Sequence, residues 1–187
     1  MSNPSDIRQA LDALIEATLS LTADGLLTAP FDPEWRSPCE VHQDNGLTYW
    51  RPVPQSPTVS FYGLENALEV PIHPDIQTYY QACWSGTLEA DSEEGQVSLI
   101  QLWNEEDFER LIANLIGHAL NKQRTRAGFT VFFANTDPDS ELFLSIDNET
   151  GAILLEEPGS RPLRQVESDI GTFLRRLTPA VRKPALY

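Results

Sequence analysis

Cys39 and His42 form the pattern Cys-x-x-His, half of a zinc site, and are the first residues in the chain whose types and spacing could do chemistry. No second pair of ligands follows at a suitable spacing, so no metal is expected. Cys83 is the only other thiol, and both cysteines are expected to be reduced and buried rather than part of a disulfide framework. His118 lies on the flank of an apolar helical stripe. Spacing places no acid or nucleophile beside it, which predicts a hydrogen-bonded histidine at the edge of the core. The chain holds no glycine-rich phosphate loop, no H-E-x-x-H and no G-x-S-x-G. Neither catalysis nor a cofactor is expected.

The carboxylates are the more informative groups. The 187 residues carry a formal net charge of -15, and the excess is concentrated: Pro52 to Glu109 contains 11 acidic residues and no Lys or Arg. Such a field repels DNA, RNA and anionic lipid headgroups, all of which present phosphates, and favours a basic protein partner. Tyr49, Trp50, Tyr79, Tyr80 and Trp84 are large aromatics in or beside this segment. Core packing accounts for most such residues, although one or two could anchor a partner in a groove.

Several elements must position these groups. Ile7, Ala10, Leu11, Leu14 and Ile15 recur at helical spacing after Asn3-Pro4, predicting an amphipathic first helix that stops before Asp24-Gly25. A proline-rich loop with Phe31 and Trp35 as core anchors follows, then a strand over 47–53 and two short helices, with Pro74 opening the second. Gly86–Asp91 and Gln96–Trp103 read as a β-hairpin about an acidic turn, and 129–135, 141–147 and 152–156 as a meander. Ser168 is a candidate cap for a last helix that Pro179 ends, with Arg175 and Arg176 at its negative pole.

The strongest helix starts at Asn104, with Glu105, Glu106 and Asp107 in the first turn where the dipole favours acids. Phe108, Leu111, Ile112, Leu115, Ile116, Ala119 and Leu120 form its apolar stripe, and Lys122, Arg124 and Arg126 are expected to satisfy its end. Gly117 falls opposite Phe108. Because glycine costs a helix interior about 1 kcal/mol relative to alanine, a close neighbour on that second face is expected, and Gly117→Leu should then destabilise the fold. The expected fold is α+β: a single domain over 1–187, with a mostly antiparallel β-sheet packed with N-terminal, central and C-terminal helices.

SPC at 37–39, TYWRP at 48–52, ENALEVPIHPDIQTYY at 65–80 and WNEEDFERLIANLIGHALNKQR at 103–124 together resemble the Syd family of SecY-interacting proteins, within the SUKH superfamily. The blocks fall in order over most of the chain and leave the basic tail, 182–187, outside. The resemblance implies a SUKH/Syd-like fold. It also implies a non-enzymatic cytoplasmic protein, peripheral on the cytoplasmic face of the inner membrane, that presents an acidic concave surface to basic cytosolic loops of the SecY translocon channel. A quality check on translocon assembly is the role it suggests. Membrane association would come only through that partner, whose cytosolic loops are enriched in Lys and Arg. On this basis Glu65, Glu69, Asp75, Glu105 and Glu106 are candidate partner-binding residues within the matching blocks. Glu93 and Glu94 are candidates from the acidic turn, and Tyr79 and Tyr80 are candidate groove aromatics. The alternative within the superfamily is an immunity protein that neutralises a basic toxin domain, which acidic charge fits equally well.

Overall fold

The computed structural model describes residues 3–182. Asn3 caps α1 (Pro4–Leu19), its side chain accepting the Ser5 N–H at 3.1 Å, and Ser20 ends the helix five residues before Gly25. β1 (Leu27–Pro30), β2 (Glu40–Asp44) and β3 (Leu47–Trp50) form a small antiparallel sheet with β3 in the middle. β4 (Val53–Pro54) pairs with β5 (Cys83–Trp84), and between them lie α2 (Tyr62–Leu68) and α3 (Pro74–Tyr80), with Pro74 as the first helical residue.

The remaining strands build one seven-stranded sheet around α4 (Glu105–Arg124) and α5 (Ile170–Arg175). They are β6 (Leu88–Ser92), β7 (Gly95–Leu99), β8 (Thr130–Asn135), β9 (Phe143–Asp147), β10 (Ile153–Glu156), β11 (Arg164–Glu167) and β12 (Thr178–Ala180), in spatial order β11-β10-β9-β8-β7-β6-β12. Every pairing in this sheet is antiparallel. The fold is α+β, with the expected antiparallel sheet and the expected helices.

Alternation along β8 separates the two faces of the sheet. Thr130 and Phe132 meet His118 of α4, whereas Phe133 meets Tyr79 of α3 and Phe173 of α5. α1 packs against α3 and α5 and closes the second face with Ile7, Leu11 and Leu14. A single buried cluster runs through these elements, so the sheet serves as a rigid floor for whatever the loops carry.

Several sequence expectations change. Leu120, placed by its spacing in the apolar stripe of α4, is 51% exposed. Gly117 is exposed, and a Cβ built on it would meet nothing within 4 Å. The face opposite Phe108 is solvent, so the predicted second contact does not exist and Gly117→Leu has nothing to clash with. Gly117→Ala is therefore expected to stabilise the protein by about 1 kcal/mol, read as a higher urea midpoint; an unchanged or lower midpoint would count against this.

Lys122 does not serve the helix end. It is 4% exposed and ion-paired with Glu156 of β10. Phe31 and Trp35 are only half-buried, each lying under an arginine: Arg36 over Phe31 and Arg110 over Trp35. At the C-terminal end Asp169, not Ser168, caps α5, and Pro179 lies inside β12 opposite Ala90. That position suits proline because β12 is the edge of the sheet.

Candidate docking groove

A groove of about 570 Å³ opens between the small sheet and the β6–β7 hairpin. Its walls take residues from β1, the 31–40 loop, β3, the 85–89 segment, β7 and the start of α4. Three tryptophans, Trp35, Trp50 and Trp103, stand beside four carboxylates, Asp32, Glu40, Glu89 and Asp107. The Trp50 and Trp103 rings meet edge to face at 5.5 Å, a geometry favoured by the aromatic quadrupole.

Local hydrogen bonds hold this wall. The Trp103 indole donates to the Trp35 carbonyl at 2.9 Å, Asn104 Nδ2 donates to the Arg36 carbonyl at 2.8 Å, and the Ser37 hydroxyl donates to the Trp103 carbonyl at 2.5 Å. The serine of the SPC block thus ties the loop to the start of α4. That start is itself fixed: Asn104 Oδ1 accepts the Asp107 N–H at 2.8 Å, and the Asp107 carboxylate accepts the Trp103 N–H at 3.0 Å. Glu40 accepts from Arg36 Nε at 2.6 Å, and Glu89 accepts from the Ser98 hydroxyl at 2.7 Å. Gly86 is required by close approach, since a Cβ there would lie 2.7 Å from the Trp50 ring.

One polar group in the wall lacks a partner among the described residues. The Trp50 indole N–H is enclosed without a hydrogen bond, although the residue is only 3% exposed. Buried groups of this kind are usually paired, so it is a candidate to meet a ligand. The Gln101 carboxamide, by contrast, interacts with the Tyr79 hydroxyl. A hollow of about 660 Å³ adjoins the groove through Ser98 and Pro138 and lies against α4, with His118, Lys122 and Glu156 in its wall. There the polar groups satisfy one another: His118 bonds Thr130 at 2.9 Å, and Glu156 takes Lys122 and Ser145. Burial, reinforced by the Lys122 charge, lowers the His118 pKa to about 4, so it is neutral near pH 7.

The predicted site residues divide by location. Glu105 and Glu106 are exposed and, with Glu34, line a second hollow of about 440 Å³ that shares the α4 start with the groove. Glu93 is exposed at the hairpin turn, while Glu94 is held by Arg176 at 2.9 Å, a bond that lowers its pKa against the opposing effect of burial. Glu69 is exposed at the end of α2. Glu65 has a structural role, accepting the Ile72 N–H at 2.9 Å.

Asp75, Tyr79 and Tyr80 are corrections, because all three are 0% exposed. The Tyr79 and Tyr80 hydroxyls donate to the carbonyls of Ile100 and Phe132, and their rings pack in the core, out of reach of a partner. Of the other aromatics, Trp50 lines the groove and Trp84 the neighbouring hollow.

Asp32, Glu40, Glu89 and Arg182 were not singled out by sequence, since they converge only through the strand register. Burial raises the Cys39 and Cys83 pKa values to about 11 and about 12, which keeps both thiols protonated and unreactive near neutral pH. Among the described residues no three His, Cys, Asp or Glu side chains are grouped to hold a metal, and no helix is long and apolar enough to cross a membrane.

Residues 8–179 match the family model described as Syd protein (SUKH-2). The chain is 42% identical over 153 residues to Protein Syd of Pseudoalteromonas atlantica, an alignment covering 80% of this chain and 82% of that one. It is 44% identical over 147 residues to Protein Syd of Hahella chejuensis (78% and 76% covered) and 38% identical over 175 residues to that of Alteromonas mediterranea (92% and 96% covered). With the family model spanning nearly the whole described fold and these relatives agreeing over most of their lengths, the chain belongs to the Syd family.

Proposed function

We propose that this protein is a non-enzymatic binding protein that docks basic cytosolic loops of the SecY channel in its acidic, tryptophan-lined groove. One observation carries the reading: four carboxylates and three indoles converge on a single concavity, and its edges bear further exposed acids. Carboxylates attract Lys and Arg, and aromatic faces receive cations and anchor interfaces. The family resemblance supplies SecY as the partner.

The protein would then be cytoplasmic and reach the inner membrane only through SecY. Its negative field disfavours nucleic acid and anionic lipid. Glu105, Glu106, Glu93 and Glu69 would steer the approach from outside the groove, where charge affects association rate more than affinity.

The test is binding to SecY in neutral-lipid nanodiscs at two ionic strengths. Affinity is expected to fall by about tenfold or more between 50 mM and 500 mM salt, because screening shortens the reach of these charges to a few ångströms. Salt-independent binding would overturn the electrostatic account. Absence of binding, with retention of a basic toxin domain instead, would favour an immunity role.

A further inference from the structure

We propose that the groove takes an arginine side chain of its partner together with the adjoining peptide group, and that Arg182 of the same chain holds that arginine position in the free protein. This rests on the partner-binding reading above and names the side chain that the groove recognises.

Arg182, two residues after β12, lines the groove. Its Nη1 donates to Glu89 Oε2 at 3.1 Å, its Nη2 donates to Asp91 Oδ1 at 2.6 Å, and the Gln96 amide oxygen, turned toward it, accepts from Nε at 3.1 Å. Two carboxylates and an amide thus meet three nitrogens of one planar fork. A lysine ammonium is a point charge and cannot span that set. Glu89 Oε2 also accepts from the Ser98 hydroxyl at 2.7 Å, a contact that orients the acceptor independently of Arg182. The Arg182 side chain remains 29% exposed, as expected of a contact weak enough to be exchanged.

The unpartnered group in the same groove indicates what accompanies the guanidinium. The Trp50 indole N–H needs an acceptor. A peptide backbone supplies its C=O. Arg182 fills the charged subsite and leaves the indole unmet. An internal occupant lowers the apparent affinity for an external one by the fraction of time that the site is filled.

The experiment titrates the ¹⁵N-labelled full chain with acetyl-Gly-Ala-Arg-Ala-Gly-amide and with its lysine analogue, following the Trp50 indole N–H resonance. The arginine peptide is expected to shift that resonance saturably and to bind Arg182→Ala about fivefold more tightly than the unaltered protein, the gain from removing a weak internal competitor. The lysine analogue should bind more weakly to both. Arg182→Gln, which keeps the side chain's bulk, should also tighten arginine binding, and thermal melts of both variants exclude a folding defect as the cause.

If neither variant binds more tightly, if lysine and arginine peptides bind equally, or if the Trp50 resonance does not move, the proposal is overturned. SecY takes no part in this titration. Loss of the SecY reading would leave the peptide result standing, and normal SecY binding with no effect of Arg182 would sink this inference alone.

Discussion

Lys122→Met is expected to cost the fold about 3–5 kcal/mol, a large share of the 5–15 kcal/mol that stabilises a typical domain. Lys122 is 4% exposed and Glu156 0%, and the Ser145 hydroxyl also donates to the Glu156 carboxylate. The pair joins α4 to β10 across the sheet face that carries His118. Removing the ammonium leaves a carboxylate in the interior with one hydroxyl donor, which is far costlier than losing the attraction itself, because desolvation is no longer offset.

Lys122→Met with Glu156→Leu should recover most of the loss and come within about 2 kcal/mol of the unaltered protein, since paired apolar residues of similar size often replace buried ion pairs at little cost. The Ser145 hydroxyl then loses its acceptor, which limits the recovery. Urea denaturation of the two single variants and the double gives the coupling directly. A Lys122→Met midpoint equal to that of the unaltered protein would mean that water reaches the pair and shares its charge.

The same pair shows where sequence reasoning ends. Period and caps read α4 well: Asn104, the acids after it and the Leu111–Leu115 stripe all behave as the spacing predicts. Lys122 also fits a last-turn cation, and its partner lies 34 residues away on β10. Only the strand register brings Glu156 beneath it. Gly117 misled for a different reason, as helical geometry gives a residue's direction but not whether anything stands there.

The groove follows the same rule. The acidic character was legible from the base-free run, and the α4 start from its cap. Asp32, Glu40 and Glu89 come from separate segments that meet when β3 pairs with β1 and β2 and the small sheet stands beside β6. Short edge strands such as β2, with its exposed residues, carry little hydrophobic alternation to announce them. Tyr79 and Tyr80 sat in the right block for a binding motif, but their face of α3 is the one the core takes.

Asp32→Lys combined with Glu89→Lys is expected to weaken SecY binding by about 100-fold, or about 3 kcal/mol, while Glu69→Lys combined with Glu149→Lys should leave it within about threefold. Both double variants raise the net charge of -15 by the same four units, so any effect of overall charge is equal. Asp32 and Glu89 line the groove, whereas Glu69 at the end of α2 and Glu149 in the β9–β10 turn are exposed and outside its lining.

At physiological salt the reach of a charge is about 8 Å, so a substituted lysine acts chiefly on what docks beside it. Reversing Glu89 also removes an anchor of Arg182, and the new ammonium repels an incoming cation where a carboxylate had drawn it in. Equal losses for the two double variants would reduce recognition to net charge, and no loss in either would move the interface off the groove. Thermal melts of each variant separate these outcomes from unfolding, because the Asp32 carboxylate also accepts the Glu34 N–H at 2.9 Å and shapes its loop. The expected pattern, a large loss at the groove and a small one elsewhere at matched net charge, arises only if the carboxylates act through position.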